Sequence, residues 1–253
     1  MVQCVQVGRL DHEDHGMLAN VAAFMKARSS GSHTADHIWA LDIRDAGVAQ
    51  SLGSVARRIA ESLGERFQAS TIIGVPEVDE VYSAVSPRSA GGSDRSLVDC
   101  HYDAPLGWLP GSAVFYRVIV GCTDNTHVQT SFPQKSIDVV LSTGDFVGMD
   151  YSRDLHCVRG GIPEGQTRVL LKLHYIIAPA GTEEMLTTHL IHRTNIVWTR
   201  MSRYLMRASA DPIGPIERIV ALLVNLSRVL MNNVLLAVGA IVTILALGLI
   251  VML

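Results

Sequence analysis

His101 and Asp103 stand two residues apart in the run SLVDCHYD (96–103), whose composition reads as a β-strand. Side chains two apart on a strand share a face, so an imidazole and a carboxylate emerge together while Cys100 and Tyr102 point the other way. A second imidazole, His156, follows STGDFVGMDYSRDL at the start of another strand. Two histidines and one carboxylate leave three coordination positions of a metal open, the facial arrangement that suits non-haem Fe(II). Those open positions would admit a bidentate ligand and dioxygen together. Arg168 opens the run TRVLLKLHY. A guanidinium there can take the far carboxylate of a dicarboxylate through two parallel hydrogen bonds. Lys172, on the same strand, is the substitute.

The elements that must position these groups are mainly β. VQCVQV (2–7), HIWALDI (37–43), VDEVYSAV (78–85), SAVFYRVIVG (112–121), VQTSF (128–132), IDVVLS (137–142), DFVGMD (145–150) and TRVLLKLHYII (167–177) read as strands. Many short strands separated by Gly, Pro, Ser and Asp argue for a sandwich or barrel. Gly16–Arg28 and Gly47–Phe67 read as helices. In the second, Val48, Leu52, Val55, Ile59 and Leu63 recur at helical spacing. PRSAGGSDR (87–95) reads as a loop.

HYD (101–103), AVFYRVIVGCTDN (113–125), TSFP (130–133), STGDFVGMD (142–150), LHCV (155–158) and GQTR (165–168) follow one another in an order that resembles the prolyl-4-hydroxylase-like Fe(II)/2-oxoglutarate-dependent dioxygenases. The resemblance covers about residues 78–178. It implies an α+β, mainly β fold: a double-stranded β-helix, or jelly roll, supported by N-terminal helices. It also implies His101, Asp103 and His156 as Fe(II) ligands, and Arg168 with Tyr82 as contacts of 2-oxoglutarate. The implied activity is oxidative decarboxylation of 2-oxoglutarate coupled to hydroxylation of a C–H bond, with ascorbate as a candidate reductant. The implied substrate is a prolyl or other protein side chain; a lipid-like molecule is the other candidate.

The 253 residues carry a net charge of −3, which gives no case for nucleic-acid binding. Apolar residues make up 48%, and much of the surplus lies near the C-terminus. Val234–Leu253 reads VLLAVGAIVTILALGLIVML, with no charge. A helix of that length spans about 30 Å, so a transmembrane anchor in the lipid bilayer is expected. Arg193, Arg200, Arg203, Arg207, Arg218 and Arg228 precede it against only Asp211 and Glu217, which places the rest of the chain on the cytosolic side. The start, MVQCVQVGRLDHEDHG, lacks the pattern of a signal peptide. Ile216–Met231 is expected to lie in the interface as an amphipathic helix or to re-enter the bilayer. Thr182 is expected to cap a basic helix running to about Met206. The division that follows is 1–76 for a supporting region, 77–180 for the catalytic core, 181–231 for the juxtamembrane helices and 232–253 for the anchor.

Cys4, Cys100, Cys122 and Cys157 form no CxxC pair, which argues against a thiolate zinc site and for four free thiols. His12 and His15 are expected in a solvated turn, and His189 and His192 on a helix surface. His127 has no evident partner. His174 is expected in a core or rim role, and Trp108 and Phe115 in packing. A non-catalytic jelly-roll interaction or structural protein is the alternative reading. A metal-dependent cupin-like enzyme without cosubstrate is the third.

Overall fold

TRVLLKLHYII forms the core of β10 (Thr167–Pro179), the longest of the described strands in the computed structural model. Residues 5–28, 35–68, 70–85, 100–103, 113–181, 186–210, 212 and 214–230 are described. Before β10 come β1 (Gln6–Arg9), α1 (His15–Arg28), β2 (Ala35–Trp39), α2 (Ala46–Arg66), β3 (Ser70–Gly74), β4 (Glu80–Val85), β5 (Val114–Gly121), β6 (Val128–Phe132), β7 (Ile137–Val140), β8 (Asp145–Asp150) and β9 (Cys157–Gly160). After it come α3 (Leu186–Ala210) and α4 (Pro215–Leu230).

The larger sheet runs β1-β8-β5-β10-β4-β2, with β3 pairing the far end of β10. The smaller runs β7-β6-β9. A bridge between His101 and His156 adds the 100–103 segment beside β9. From β4 onward the antiparallel pairs nest. β4 pairs β10, the 100–103 segment pairs the start of β9, β5 pairs β8, and β6 pairs β7. Cross-links β5–β10 and β6–β9 close each sheet. A long hairpin wound in this nested way is the double-stranded β-helix, so the jelly roll expected from the sequence is present.

Both faces of β10 are covered, which is why its sequence is nearly continuously apolar. Val169, Leu171, Leu173, Tyr175 and Ile177 join a core with Leu18, Val21 and Met25 of α1 and Val55, Ile59 and Leu63 of α2. Arg168, Lys172 and His174 take the alternate positions and face the other way. α2 follows the expected spacing: Val48, Leu52, Val55, Ile59 and Leu63 are all buried. Its N-cap, Asp45, accepts a hydrogen bond from the Val48 amide at 3.0 Å, satisfying a donor that the first turn leaves open.

Several boundaries differ from the expectation. HIWALDI does not continue as a strand beyond Trp39. Residues Ala40–Asp42 make a 3-10 turn, its entry fixed by the Ala40 amide donating to the Asp79 carbonyl at 2.8 Å. β3 has no counterpart in the sequence reading, because STIIG offers only two large apolar residues as a signal. SLVDCHYD shows only the bridge at His101 within 100–103, and 96–99 lie outside the described residues. The loop 87–95, Trp108, the Thr182 cap and the anchor 232–253 also lie outside them. Among the described residues no helix is long and apolar enough to cross a membrane.

The cysteines require a correction. Cys100 and Cys157 are paired as a disulfide, with Cα atoms 4.2 Å apart. His101 and His156 exchange both backbone hydrogen bonds, so their neighbours form the closer, non-hydrogen-bonded pair, which brings two thiols face to face. Among the described residues Cys122 is the free thiol; burial pushes it up to about 12.

The chain divides into two compact units, 1–196 and 197–253. In the second, α4 begins with Pro215 at its first position, and the Gly214 amide donates to Glu217 at 3.3 Å. Ile216, Ile219 and Leu222 are exposed.

Two outcomes follow. Non-reducing peptide mapping should recover the segments around Cys100 and Cys157 as one linked fragment, and Cys157→Ser should lower urea stability by about 2–4 kcal/mol. Ile59→Ala, which empties a fully buried site between α2 and the sheet, should cost about 2–5 kcal/mol in the same measurement.

Candidate metal centre

His101, Asp103 and His156 converge between the two sheets. One ligand atom from each lies within 4.8 Å of the others. The His101 amide donates to the His156 carbonyl at 2.9 Å and the reverse bond is 3.1 Å, which fixes both imidazoles on one side of the strand pair. His101 Nε2 lies 3.5 Å from Asp103 Oδ1, and His156 Nε2 lies 3.3 Å from Asp103 Oδ2.

The turn before β9 aims the second imidazole. The Asp150 carboxylate accepts from the amides of Ser152 (2.9 Å) and Arg153 (3.1 Å). Asp154 accepts from the Asp150 amide at 2.9 Å and pairs with Lys135 at 2.7 Å. The Asp154 carbonyl lies 3.2 Å from His156 Nδ1. A carbonyl only accepts, so Nδ1 carries the proton and Nε2 presents a lone pair. That lone pair faces the Asp103 carboxylate. Two acceptors facing each other are unfavourable unless a proton on Nε2 or a metal cation lies between them. The donor set therefore fits a divalent metal of the kind that two imidazoles and a carboxylate select.

Asp103 is held from behind by Arg117 of β5, whose Nη1 donates to its carboxylate. Burial alone would push this carboxyl up; Arg117 first, then His156, outweighs burial and holds it well below the usual carboxylate range. Burial works against the Arg117 charge too, but Asp103 more than offsets it. The Arg117 Nε donates to His174 Nε2 at 2.9 Å, and its guanidinium lies 4.7 Å over the Tyr151 ring. His174 is fully buried, and its backbone amide donates to Asp79 Oδ1 at 2.7 Å. Because Nε2 accepts from Arg117, the imidazole is neutral with its proton on Nδ1, 3.4 Å from the same Asp79 oxygen. Burial, then the nearby Arg117, depress its pKa well below the ordinary value.

Along the same face of β10 lie the two cations considered for a dicarboxylate. Lys172 is committed to Glu80 at 2.9 Å and sits 5.0 Å over the Tyr82 ring. Arg168 is buried, and its Nε has no hydrogen-bond partner among the described residues. Burial lowers its pKa, with Tyr82 acting against that. Tyr82 pairs with Leu170 across β4 and β10, which sets its ring on the Arg168 face.

Arg117 was not singled out from sequence, although it carried a signal. It is the one charge in VFYRVIVG, a strand buried at every position, and an arginine so placed requires an anionic partner. His174 has a core place, as expected, but as the link between Asp79 and Arg117. His12 and His15 stack at 5.0 Å, and His15 Nε2 is buried rather than solvated. Phe115 packs edge-on to Tyr151.

Fold and cluster together define a class: a jelly roll with two histidines and one carboxylate gathered between its sheets. No family model matches the sequence, and no curated protein matches it. Similar solved structures include a viral collagen prolyl hydroxylase from Paramecium bursaria Chlorella virus-1 (14% identity, 70% of this chain and 97% of that one, TM-score 0.42). They also include AviO1 from Streptomyces viridochromogenes (13%, 70% and 90%, 0.49) and a prolyl 4-hydroxylase from Phytophthora capsici (12%, 94% and 86%, 0.47). The fold assignment rests on this chain's own strand pairing.

The buried neutral His174 makes a pH prediction. Its folded pKa is depressed, so the unfolded chain takes up the proton first, and stability from this group is lost as pH falls below about 6.5. Asp79, raised by burial, titrates in the opposite sense, so the informative quantity is a difference. Below pH 6.5 the slope of unfolding free energy against pH should be more positive in the wild type than in His174→Gln, by up to about 1.4 kcal/mol per pH unit. Urea melts between pH 5 and 7 provide the check.

Proposed function

We propose that this chain is an Fe(II)- and 2-oxoglutarate-dependent dioxygenase that hydroxylates a C–H bond. The observation that carries the reading is the set of three converging metal-ligand atoms; a buried guanidinium on β10, whose Nε lacks a hydrogen-bond partner among the described residues, adds the second requirement.

Iron with 2-oxoglutarate and dioxygen would supply the oxidative chemistry: one oxygen atom would enter succinate as carbon dioxide is lost, and the other would hydroxylate the C–H bond. The chain's part is placement. His101, Asp103 and His156 would hold the metal and leave its remaining positions open. Arg168 would take the distal carboxylate, and Tyr82 would wall the same region. Phe132, buried and 6.1 Å from the His156 ring, would help keep water from that imidazole. The substrate proposed is a prolyl or other protein side chain, with a lipid-like molecule as the other candidate. Residues 232–253 are proposed to anchor the chain in a membrane; this rests on their composition.

The test is succinate release by the full chain in detergent, supplied with Fe(II), 2-oxoglutarate and ascorbate, across peptide and lipid pools. The expected result is 2-oxoglutarate turnover that His101→Ala or Asp103→Ala abolishes. Arg168→Met should raise the 2-oxoglutarate KM by about 10- to 100-fold, the loss of a charged bidentate contact. A wild-type chain that binds neither iron nor 2-oxoglutarate would favour the non-catalytic reading. Unchanged activity in Arg168→Met would favour an enzyme without cosubstrate.

A further inference from the structure

Basic side chains on β5 and β10 line the jelly-roll interior. Arg117, Arg168 and Lys172 are its cations. The anions acting on Arg117 are Asp103 and Glu80. Lys172 and Glu80 neutralise each other at 2.9 Å, and Arg117 neutralises Asp103. His37, 3.4 Å from the other Glu80 oxygen, brings no negative charge. Asp79 is pushed towards its neutral form by burial and by the charges of Glu77 and Glu80, and His174 is neutral. Arg168 has no carboxylate among the groups acting on it, so its charge is unmet before any ligand enters. A divalent metal would add two more where little water screens them.

Arg117 is the cation that bears directly on the metal. It donates to the one carboxylate of the ligand set, so its charge and the metal's would share an anion. It cannot swing aside cheaply: His174 holds Nε at 2.9 Å, Tyr151 lies against the guanidinium, and the residue is buried. Unlike a lysine, it cannot relieve the repulsion by losing a proton. A dianion entering beside the metal would cancel most of the excess.

We propose that Arg117 makes metal binding and dicarboxylate binding interdependent: its fixed charge on Asp103 holds down affinity for the divalent metal alone, and the penalty is lifted when a dianion occupies the same cavity. The proposal rests on the function inferred above and adds to it an order of preference, with metal and cosubstrate favouring each other by equal factors, as linkage requires. Arg117 is a positioning residue here, acting through Asp103. Direct chelation by 2-oxoglutarate would also couple the two ligands, so the distinguishing observation is the dependence on charge at residue 117.

Mn(II) binding to the full chain in detergent, measured by calorimetry with and without saturating 2-oxoglutarate, tests this. Arg117→Gln keeps an amide donor for Asp103 and removes the charge; Arg117→Lys keeps the charge. The Gln variant should bind Mn(II) alone at least about threefold tighter than wild type, and its enhancement by 2-oxoglutarate should shrink by a similar factor. The Lys variant should stay near wild type in both. Equal or weaker Mn(II) binding by Arg117→Gln, or an unchanged enhancement, overturns the proposal. Should Arg117→Gln fail to fold, Arg117→Met decides: it removes the same charge with an unbranched side chain, and Mn(II) alone must again bind tighter. A wild-type chain that binds no Mn(II) in either condition overturns the functional reading, and this inference with it. Binding by the wild type with the wrong response at Arg117 overturns this inference alone.

Discussion

His101 and His156 exchange both of their backbone hydrogen bonds, and this single narrow pair determines where two imidazoles and, two residues on, a carboxylate must point. Everything chemical in the molecule depends on it. Among the described residues it supplies the backbone bonds that join the 100–103 segment to the smaller sheet. The nested winding of β4 to β10 brings these distant positions together, because a hairpin folded on itself pairs its early strands with its late ones. Side-chain contacts then refine the placement. The Asp154 carbonyl orients one ring, and Arg117 fixes the carboxylate.

The cost of this arrangement is a charged interior. β5 and β10 each bury cations on the face opposite the helices, where a sandwich would ordinarily place only apolar groups. Each is met locally: Lys172 by Glu80, Arg117 by Asp103 and the Tyr151 ring. Arg168 is the exception, and a buried guanidinium with an unmet donor destabilises a protein unless a ligand completes it. Isolated stability would not select such a residue; binding of an anion would.

Much of the fold could be read from the chain. The heptad-like run Val48 to Leu63 and the short β-rich runs from Glu80 onward gave elements close to those observed, because their apolar residues repeat at the period of one buried face. β3 escaped notice because its pairing comes from β10 rather than from its own composition. HIWALDI misled because propensity says nothing about where a long-range contact, the Ala40 amide to Asp79, will turn the chain. At the site, same-face spacing was enough for His101 and Asp103, whereas their meeting with His156 needs the winding. Arg117 and the Cys100–Cys157 pair were harder, since each depends on a partner distant in sequence. The neighbours of two paired residues are themselves opposite, so the sulfur contact was implicit once His101 was set against His156.

That sulfur contact has a further consequence. It closes a ring across a separation of 57 residues that contains all of β5 to β8. Its two ends are the immediate neighbours of the imidazoles, so a denatured but unreduced chain still carries His101, Asp103 and His156 as a tethered trio. Such a chain retains some capacity to chelate. A ligand that also binds the unfolded form shifts the folding equilibrium less than its affinity for the native form suggests. Metal would therefore raise the melting temperature of the oxidised protein by less than its native affinity implies.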